Sequence, residues 1–377
     1  MLSANDKPHI GIFTRAIDQG TSGSGSHLRQ ILAEVLKQNE SFKITLIHYK
    51  RNRNEIYSQA DELIIPRNPI LASLILRRHK FDILQFAPLT IFSPIWFSKA
   101  RHIAIIHGIE INLVPHLYTR IEVLHQKYIH PWYARRMDRI FTVSEASKSS
   151  LARLHGIPAQ HIKITTNGIG QQFRVLADKK HLRRIVAEKY AIGGPFIFHI
   201  SKYSLRKNPE AIFRAFEIVI KAQPEMQLVI AGQGWSPEIA ATFIDSEQAL
   251  RHIQYPGFID QAELATFLNL AEVFIFPSHA EGFGMPNLEA MACGCPVITS
   301  NSFAIPEVVG DAAIILKNNE DPEELSSYIM KVIMDEDLRH KLIGKGLERV
   351  KSFSWEKSAA VALKTYAELL TEQDTST

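Results

Sequence analysis

The chain has 377 residues, of which 46% are hydrophobic and 22% charged, with a formal net charge of +4. That is more chain than one hydrophobic core organises, so two domains of roughly 150–200 residues are expected. The composition is that of an ordinary globular protein, which excludes a disordered or disulfide-stapled chain, and no nucleic-acid-reading motif accompanies the mild positive charge. No run approaches the ~18 apolar residues of a spanning helix. The N-terminal MLSANDKPHIGIFT has no signal-peptide core, so a cytoplasmic protein is expected.

In chain order, His9–Phe13 reads as a strand, followed by a Thr/Ser/Gly loop at Gly20–Ser26. Leu28, Ile31, Leu32, Val35 and Leu36 then repeat at helical spacing. Strands are expected at Lys43–His48, Leu63–Ile65, Asp82–Phe86, His102–Ile106, Arg139–Val143 and Ile162–Thr165. Helical stretches fall at 70–79, 117–136 and 144–155. A polar, irregular stretch at 168–194 closes on Gly193-Gly194-Pro195, the end of a linker. A second series follows, with strands at Phe196–Ile200, Gln227–Ala231, Ile253–Tyr255, Val273–Phe276, Val297–Thr299 and Ala313–Leu316. Alternation of strand and helix in both halves predicts two doubly wound α/β domains facing each other across a cleft. The expected boundaries are 1–175, 176–352 and a C-terminal helix at 353–377 that packs back across the first domain.

The densest chemistry lies in 277–298, PSHAEGFGMPNLEAMACGCPVI. Glu281 and Glu289 stand on either side of a Gly-rich bend that runs into a short helix, with Pro286 suited to its first turn. Helix N–H groups beside glycines suit a phosphate, and carboxylates suit hydroxyl-rich partners because they only accept hydrogen bonds. A nucleotide sugar combines the two. Lys202, Arg206 and Lys207 follow a strand, where fixed cations can offset charge growing on a departing diphosphate.

Other patterns carry less. Gly23-Ser24-Gly25 fits a truncated dinucleotide fingerprint, but position 28 is Leu, and the second strand ends in His48-Tyr49-Lys50-Arg51 with no acid to hold an NAD ribose. Cys293 and Cys295, with no second pair, read as small buried residues and not as a zinc site. Asp335-Glu336-Asp337 reads as a helix start. Pro69–Lys80 and 127–139 are basic and amphipathic; they suit a membrane surface, and equally a helix packed on its own sheet, which is the reading we take first.

Four segments in order resemble the retaining GT-B glycosyltransferases of family 4: EGFGMPNLEAMACGCPVI; Ser201-Lys202-Tyr203-Ser204-Leu205-Arg206-Lys207-Asn208; Tyr255-Pro256-Gly257-Phe258-Ile259 with Glu263-Leu264; and Phe141–Ser147 with Thr166-Asn167-Gly168-Ile169. The resemblance implies the GT-B fold and a nucleotide-sugar donor, with no cofactor and no metal. It puts Glu289 on the donor ribose and Glu281 on the transferred sugar, with the backbone of Gly282, Phe283 and Gly284 near sugar or phosphate oxygens. Lys202 and Lys207 fall on the family's basic pair at the diphosphate, where the first is more usually Arg and Arg206 offers the missing fork; Phe258 and Ile259 fall on the base-side loop, and Gly23 and Gly25 near the diphosphate. His107, in Ile105-Ile106-His107-Gly108, falls beside the donor sugar, although the Asp that usually follows is Gly108 here. His107, Glu281 and Lys207 are thus the candidates at the reacting centre.

The activity expected from the resemblance is transfer of a hexose, mannose from GDP-mannose first, to a saccharide or lipid-linked saccharide acceptor in bacterial glycan synthesis. Transfer from a UDP-sugar such as UDP-glucose is the alternative. A non-catalytic nucleotide-sugar binder and a dinucleotide oxidoreductase are the readings from other classes.

Overall fold

A computed structural model describes residues 7–18, 23–52, 54–90, 93–96 and 98–374. Among the described residues, short β-branched and aromatic runs form thirteen strands, all paired in parallel. The first sheet holds β1 (His9–Phe13), β2 (Lys43–His48), β3 (Asp61–Ile64), β4 (Ile83–Phe86), β5 (Arg101–Ile105), β6 (Arg139–Thr142) and β7 (Ile162–Ile164) in the order β3-β2-β1-β4-β5-β6-β7. The second holds β8 (Phe196–Ile200), β9 (Gln227–Ala231), β10 (Ile253–Gly257), β11 (Val273–Phe276), β12 (Val297–Thr299) and β13 (Ile314–Ile315) in the order β10-β9-β8-β11-β12-β13. Both orders run outward from a reversal, at β1/β4 and at β8/β11. Such reversals are where loops at the carboxyl ends of strands part and leave a crevice.

Central strands of such sheets are covered on both faces, so they read as continuous apolar runs. Every residue of β4 (ILQF) and β11 (VFIF) is buried. Gly11 in β1 has a packing reason: a Cβ there would lie 2.7 Å from Ile47 Cδ1 and 2.8 Å from Leu84 Cδ2. The covering helices carry the complementary stripe. In Pro209–Ala222 the buried residues include Ile212, Ala215, Phe216 and Val219, spaced by three, one and three, which lays one helix face on the second sheet.

The chain divides into two compact units, one comprising the residues through Gly168 together with those from Ser354 onward, the other Ile169–Phe353. The expected boundary at 175 lies inside the second unit. The C-terminal helix Trp355–Asp374 belongs to the first, where Tyr366 is buried and its hydroxyl donates to Gln85 Oε1 at 2.6 Å. Ser358 Oγ donates to Thr166 O at 2.6 Å. Gly168 sits against the start of this helix so closely that a Cβ would come within 2.3 Å of Trp355 N.

Three expectations about local structure need correction. The stretch 168–194 contains a helix, Lys179–Tyr190, capped by Asp178, whose side chain accepts from His181 N. It has one fully buried residue, Val186, and is tied down instead by polar contacts such as Tyr190 Oη to Glu263 Oε1 at 2.7 Å, so its apolar periodicity is faint. The region 117–136 is not one regular helix: Arg120–Leu124 runs through a π-turn at His125–Ile129 into His130–Ala134. Pro131, which has no N–H to donate back along the helix, stands just after the wide turn. Gly23 and Gly25 lie in the first turn of the helix Gly23–Gln38 and not in a loop; residues 19–22 lie outside the described residues.

Candidate functional site

In the second unit, β8 and β11 diverge and their following loops meet. After β8 comes a single 3-10 turn, Leu205–Lys207, closed by Asn208 in the left-handed conformation (φ 58°). Asn208 caps the helix Pro209–Ala222 by accepting from Ala211 N, and its Nδ2 donates to Pro277 O at 3.2 Å in the loop after β11. His279 N donates to Arg206 O at 2.9 Å. Two segments some seventy residues apart are thereby fixed against each other by their own backbones.

That fixing brings three of the sequence candidates into contact. Arg206 Nη1 and Lys207 Nζ both lie 2.6 Å from Glu281 Oε1. Arg206 Nη1 also donates to Ala280 O, and Lys207 Nζ stands 4.7 Å over the Phe276 ring. Burial pushes the Glu281 carboxyl up, but Lys207 and Arg206 outweigh it and hold it below its ordinary range. The group is therefore an anion at neutral pH. Two cations on one carboxylate oxygen leave a rigid cluster with one net positive charge. The guanidinium is a planar fork of donors, whereas the ammonium acts as a point charge.

Glu289 is different in kind. It lies on the helix Met285–Ala292, is 8% exposed, and has no hydrogen-bond or ion-pair partner among the described residues. Burial alone raises its carboxyl to about 7. An unpaired buried carboxyl is costly to keep ionised, so this group is held back from every partner within its own unit. The helix starts at Gly284, φ 85°, where no side chain caps it; a Cβ would lie 3.0 Å from Asn287 Nδ2. Gly282, Phe283 and Gly284 are buried, and Phe283 packs edge-on against Phe353 at 5.6 Å.

The remaining second-unit candidates surround these loops unevenly. Lys202 is exposed and makes no ion pair among the described residues. Gly257 ends β10 with φ 72° and its carbonyl accepts from Gly232 N at 2.7 Å. Phe258 beyond it is 55% exposed, whereas Ile259 is buried.

Sequence reasoning passed over several residues here. Gly232 has φ 114°, and a Cβ there would fall 2.0 Å from Ser201 O; Trp235 Nε1 donates to that same oxygen at 2.8 Å. The Gly-x-Gly after β9 was the available signal. His199 is buried with both ring nitrogens used, Nδ1 to Ile275 O at 2.9 Å and Nε2 to Ser201 Oγ at 2.8 Å, and burial lowers it to about 4. It is a neutral tie across β8 and β11. Asn287 is fully buried with both amide atoms unpartnered among the described residues.

The first unit gathers a second, uncharged constellation. His107 follows β5, and its ring meets that of His27 edge-on, with centroids 4.6 Å apart at 87°. His27 Nδ1 is 2.5 Å from Asn167 Oδ1, which makes Nδ1 the protonated nitrogen and leaves Nε2 a lone pair. The Nε2 atoms of both histidines are buried without partners among the described residues. Burial lowers His27 to about 4 despite the Asn167 bond, and burial together with His27 drives His107 well below its ordinary value. Both are neutral at physiological pH. His27 is buried on the helix that begins at Gly23; Gly25 is buried in its first turn and Gly23 faces open space. His27 escaped notice because it falls on the same inward stripe as Leu28 and Ile31.

Asp335 caps the helix Glu336–Val350 by accepting from Leu338 N at 2.9 Å, as a helix-start acid should. Cys293 and Cys295 are buried free thiols.

Two Rossmann-like parallel sheets, whose strand orders match except for the extra edge strand β7 of the first, define the GT-B glycosyltransferase architecture. Residues 31–172 match the family model described as Glycosyltransferase Family 4, and residues 184–349 match that of Glycosyl transferases group 1. The chain belongs to the family 4 GT-B glycosyltransferases. It is 28% identical over 320 residues to O-antigen chain mannosyltransferase B of Escherichia coli, covering 83% of this chain and 81% of that one. It is 27% identical over 241 residues to the serotype-specific mannosyltransferase WbdA of the same organism, spanning 62% of this chain but only 29% of the relative. Among solved structures, sucrose-phosphate synthase from Thermosynechococcus elongatus superposes with a TM-score of 0.78 at 18% identity, covering 97% of this chain and all of that one. Anabaena HepE in complex with UDP and glucose superposes with a TM-score of 0.73 at 15% identity, covering 96% of this chain and 100% of that one.

Proposed function

We propose that the chain is a retaining hexosyltransferase that moves mannose from GDP-mannose to an acceptor hydroxyl of a bacterial polysaccharide or lipid-linked glycan. The observation that carries the donor assignment is Glu289, a buried carboxyl without a partner in the unit that also holds the Arg206–Glu281–Lys207 cluster. A ribose supplies two hydroxyl donors to such an acceptor. The diphosphate then meets the positive charge of Arg206 and Lys207, with Lys202 a further cation from the solvent side. Glu281 orients the two cations and faces the transferred sugar.

In this reading the bond from the anomeric carbon to the phosphate oxygen breaks, and the acceptor oxygen bonds to the same face of that carbon. The acceptor proton passes to the departing phosphate. Arg206 and Lys207 stabilise the charge growing on the leaving group, so the reading requires no metal. A trapped glycosyl–Glu281 adduct would contradict same-face attack. Similarity to the two mannosyltransferases favours mannose. Transfer from UDP-glucose is the second reading, and it draws on the fold shared with HepE, a structure that holds UDP and glucose. A thermal-shift screen of GDP, GDP-mannose, UDP and UDP-glucose separates them: a larger shift with the guanosine pair supports the proposal, and a larger shift with the uridine pair replaces it.

A further inference from the structure

The helical run Arg120–Ala134 is anchored inward by Gln126, Pro131 and Ala134, all buried. Its outward face is also apolar. Ile121 is 80% exposed, Tyr128 61%, Leu124 55% and Trp132 38%. These four, at spacings of three, four and four residues, form one stripe along the run. Cations interleave with its aromatic rings: Lys127 Nζ lies 5.3 Å from the Tyr128 ring centroid, and the Arg136 guanidinium stacks on Trp132 at 3.3 Å. Arg120 adds an exposed cation, while Glu122, the one acid between 117 and 136, is held in a capping box with Thr119. Trp96 extends the patch, its ring 5.7 Å from that of Trp132. Among the described residues no helix is long and apolar enough to cross a membrane.

We propose that this stripe docks the protein on an anionic lipid surface, with Ile121, Leu124, Tyr128 and Trp132 entering the headgroup–acyl boundary and Arg120, Lys127 and Arg136 meeting lipid phosphates. Charge complementarity selects that occupant. An apolar stripe one helix wide, with Trp and Tyr each carrying a cation at the same level, suits the graded polarity of a bilayer interface. A protein groove would leave those cations to be desolvated. The helix Pro69–Arg78 repeats the pairing, with Ile70, Leu71 and Leu74 exposed beside Arg77 and Arg78. Its inner residues Ala72 and Leu76 pack in the core with strand residues such as Ile47 and Leu84, as the reading taken first expects, while its outer residues stay exposed.

The test is co-sedimentation of the full-length protein with vesicles of phosphatidylcholine alone or mixed with phosphatidylglycerol. Binding is expected on the mixed vesicles, at least about tenfold weaker on phosphatidylcholine alone, and weakened as salt shortens the screening length from about 10 Å to about 3 Å. Tyr128→Ser with Trp132→Ser should lower partitioning by about tenfold or more, and Lys127→Glu with Arg136→Glu by a similar factor. Thermal unfolding and turnover of a soluble acceptor should stay unchanged, since these side chains are exposed. Failure of the intact protein to bind the mixed vesicles overturns the proposal. So does loss of binding only when Leu71 and Leu74 are changed to Ser, which gives the role to the other helix. A dimer seen by light scattering and abolished by Tyr128→Ser with Trp132→Ser gives the stripe to a second copy of the chain and likewise overturns it.

Discussion

The two units share one strand order, apart from the extra edge strand β7 of the first, and differ in what they do with charge. The second concentrates it: two cations and a carboxylate locked at the reversal of the sheet, and another carboxyl buried with no partner among the described residues. The first hides its chemistry in neutral groups, a pair of histidines held by Asn167 on one side and by burial on all others, and it exposes apolar stripes. The same scaffold thus supports charge compensation in one unit and uncharged hydrogen bonding beside apolar surfaces in the other. The comparison teaches that duplicated topology fixes where loops emerge, while the residues on those loops set the division of labour.

The largest way to break that contrast is Lys207→Ala. Removing one fixed cation from a leaving-group site should cost about a hundredfold or more in kcat with the donor saturating; unchanged kcat would remove Lys207 from the diphosphate. Glu289→Gln is expected next. Donor affinity should fall by about tenfold, the scale of hydrogen bonds to a charged group, with a smaller change in kcat. The same variant has a stability signature. The Glu289 carboxyl sits near 7 in the folded protein against an ordinary 4.5, so the folded state holds the proton more tightly and loses stability as pH rises between those values. Glu289→Gln should therefore stabilise the protein above pH 7 by roughly 3 kcal/mol and leave stability below pH 4 unchanged. Chemical denaturation at the two pH values measures it.

The first unit should answer in the opposite direction. His27 titrates near 4 when folded against 6.5 ordinarily, so the unfolded chain binds the proton first and stability is lost as pH falls from 6.5 towards 4. His27→Gln should flatten that acid limb, by at most about 3 kcal/mol, and an unaltered limb would place the acid sensitivity elsewhere. The smallest effect is expected for Lys202→Ala: a few-fold loss in donor affinity with no change in melting temperature, because the side chain is exposed and makes no ion pair among the described residues.

Much of this was legible in the chain before any coordinates. Strands such as Phe196–Ile200, Gln227–Ala231 and Val273–Phe276 stand where their apolar runs predicted, because buried parallel strands advertise themselves by composition alone. Glu281, Glu289 and Lys207 were visible as residue types in a motif. Their relations were not. The Arg206–Glu281 and Lys207–Glu281 contacts span 75 and 74 residues, and nothing local in either loop encodes that they meet; the sheet order does. Nor could the motif distinguish a carboxylate already paired, Glu281, from one left without a partner, Glu289. His27 was hidden inside a hydrophobic stripe. The helix Lys179–Tyr190 was hidden by the reverse, a surface too polar to show a period.

The claim on which the account turns is that the second unit binds a nucleoside diphosphate sugar through Lys207 and Glu289. Calorimetric titration of GDP-mannose into the intact protein, Lys207→Ala and Glu289→Gln, at pH 6 and pH 8, tests it most directly. The account predicts saturable binding that is weaker in both variants, and tighter at pH 8 than at pH 6 in the intact protein as Glu289 ionises. It also predicts that this pH dependence is lost in Glu289→Gln. Binding of equal strength in all three proteins at both pH values would contradict it.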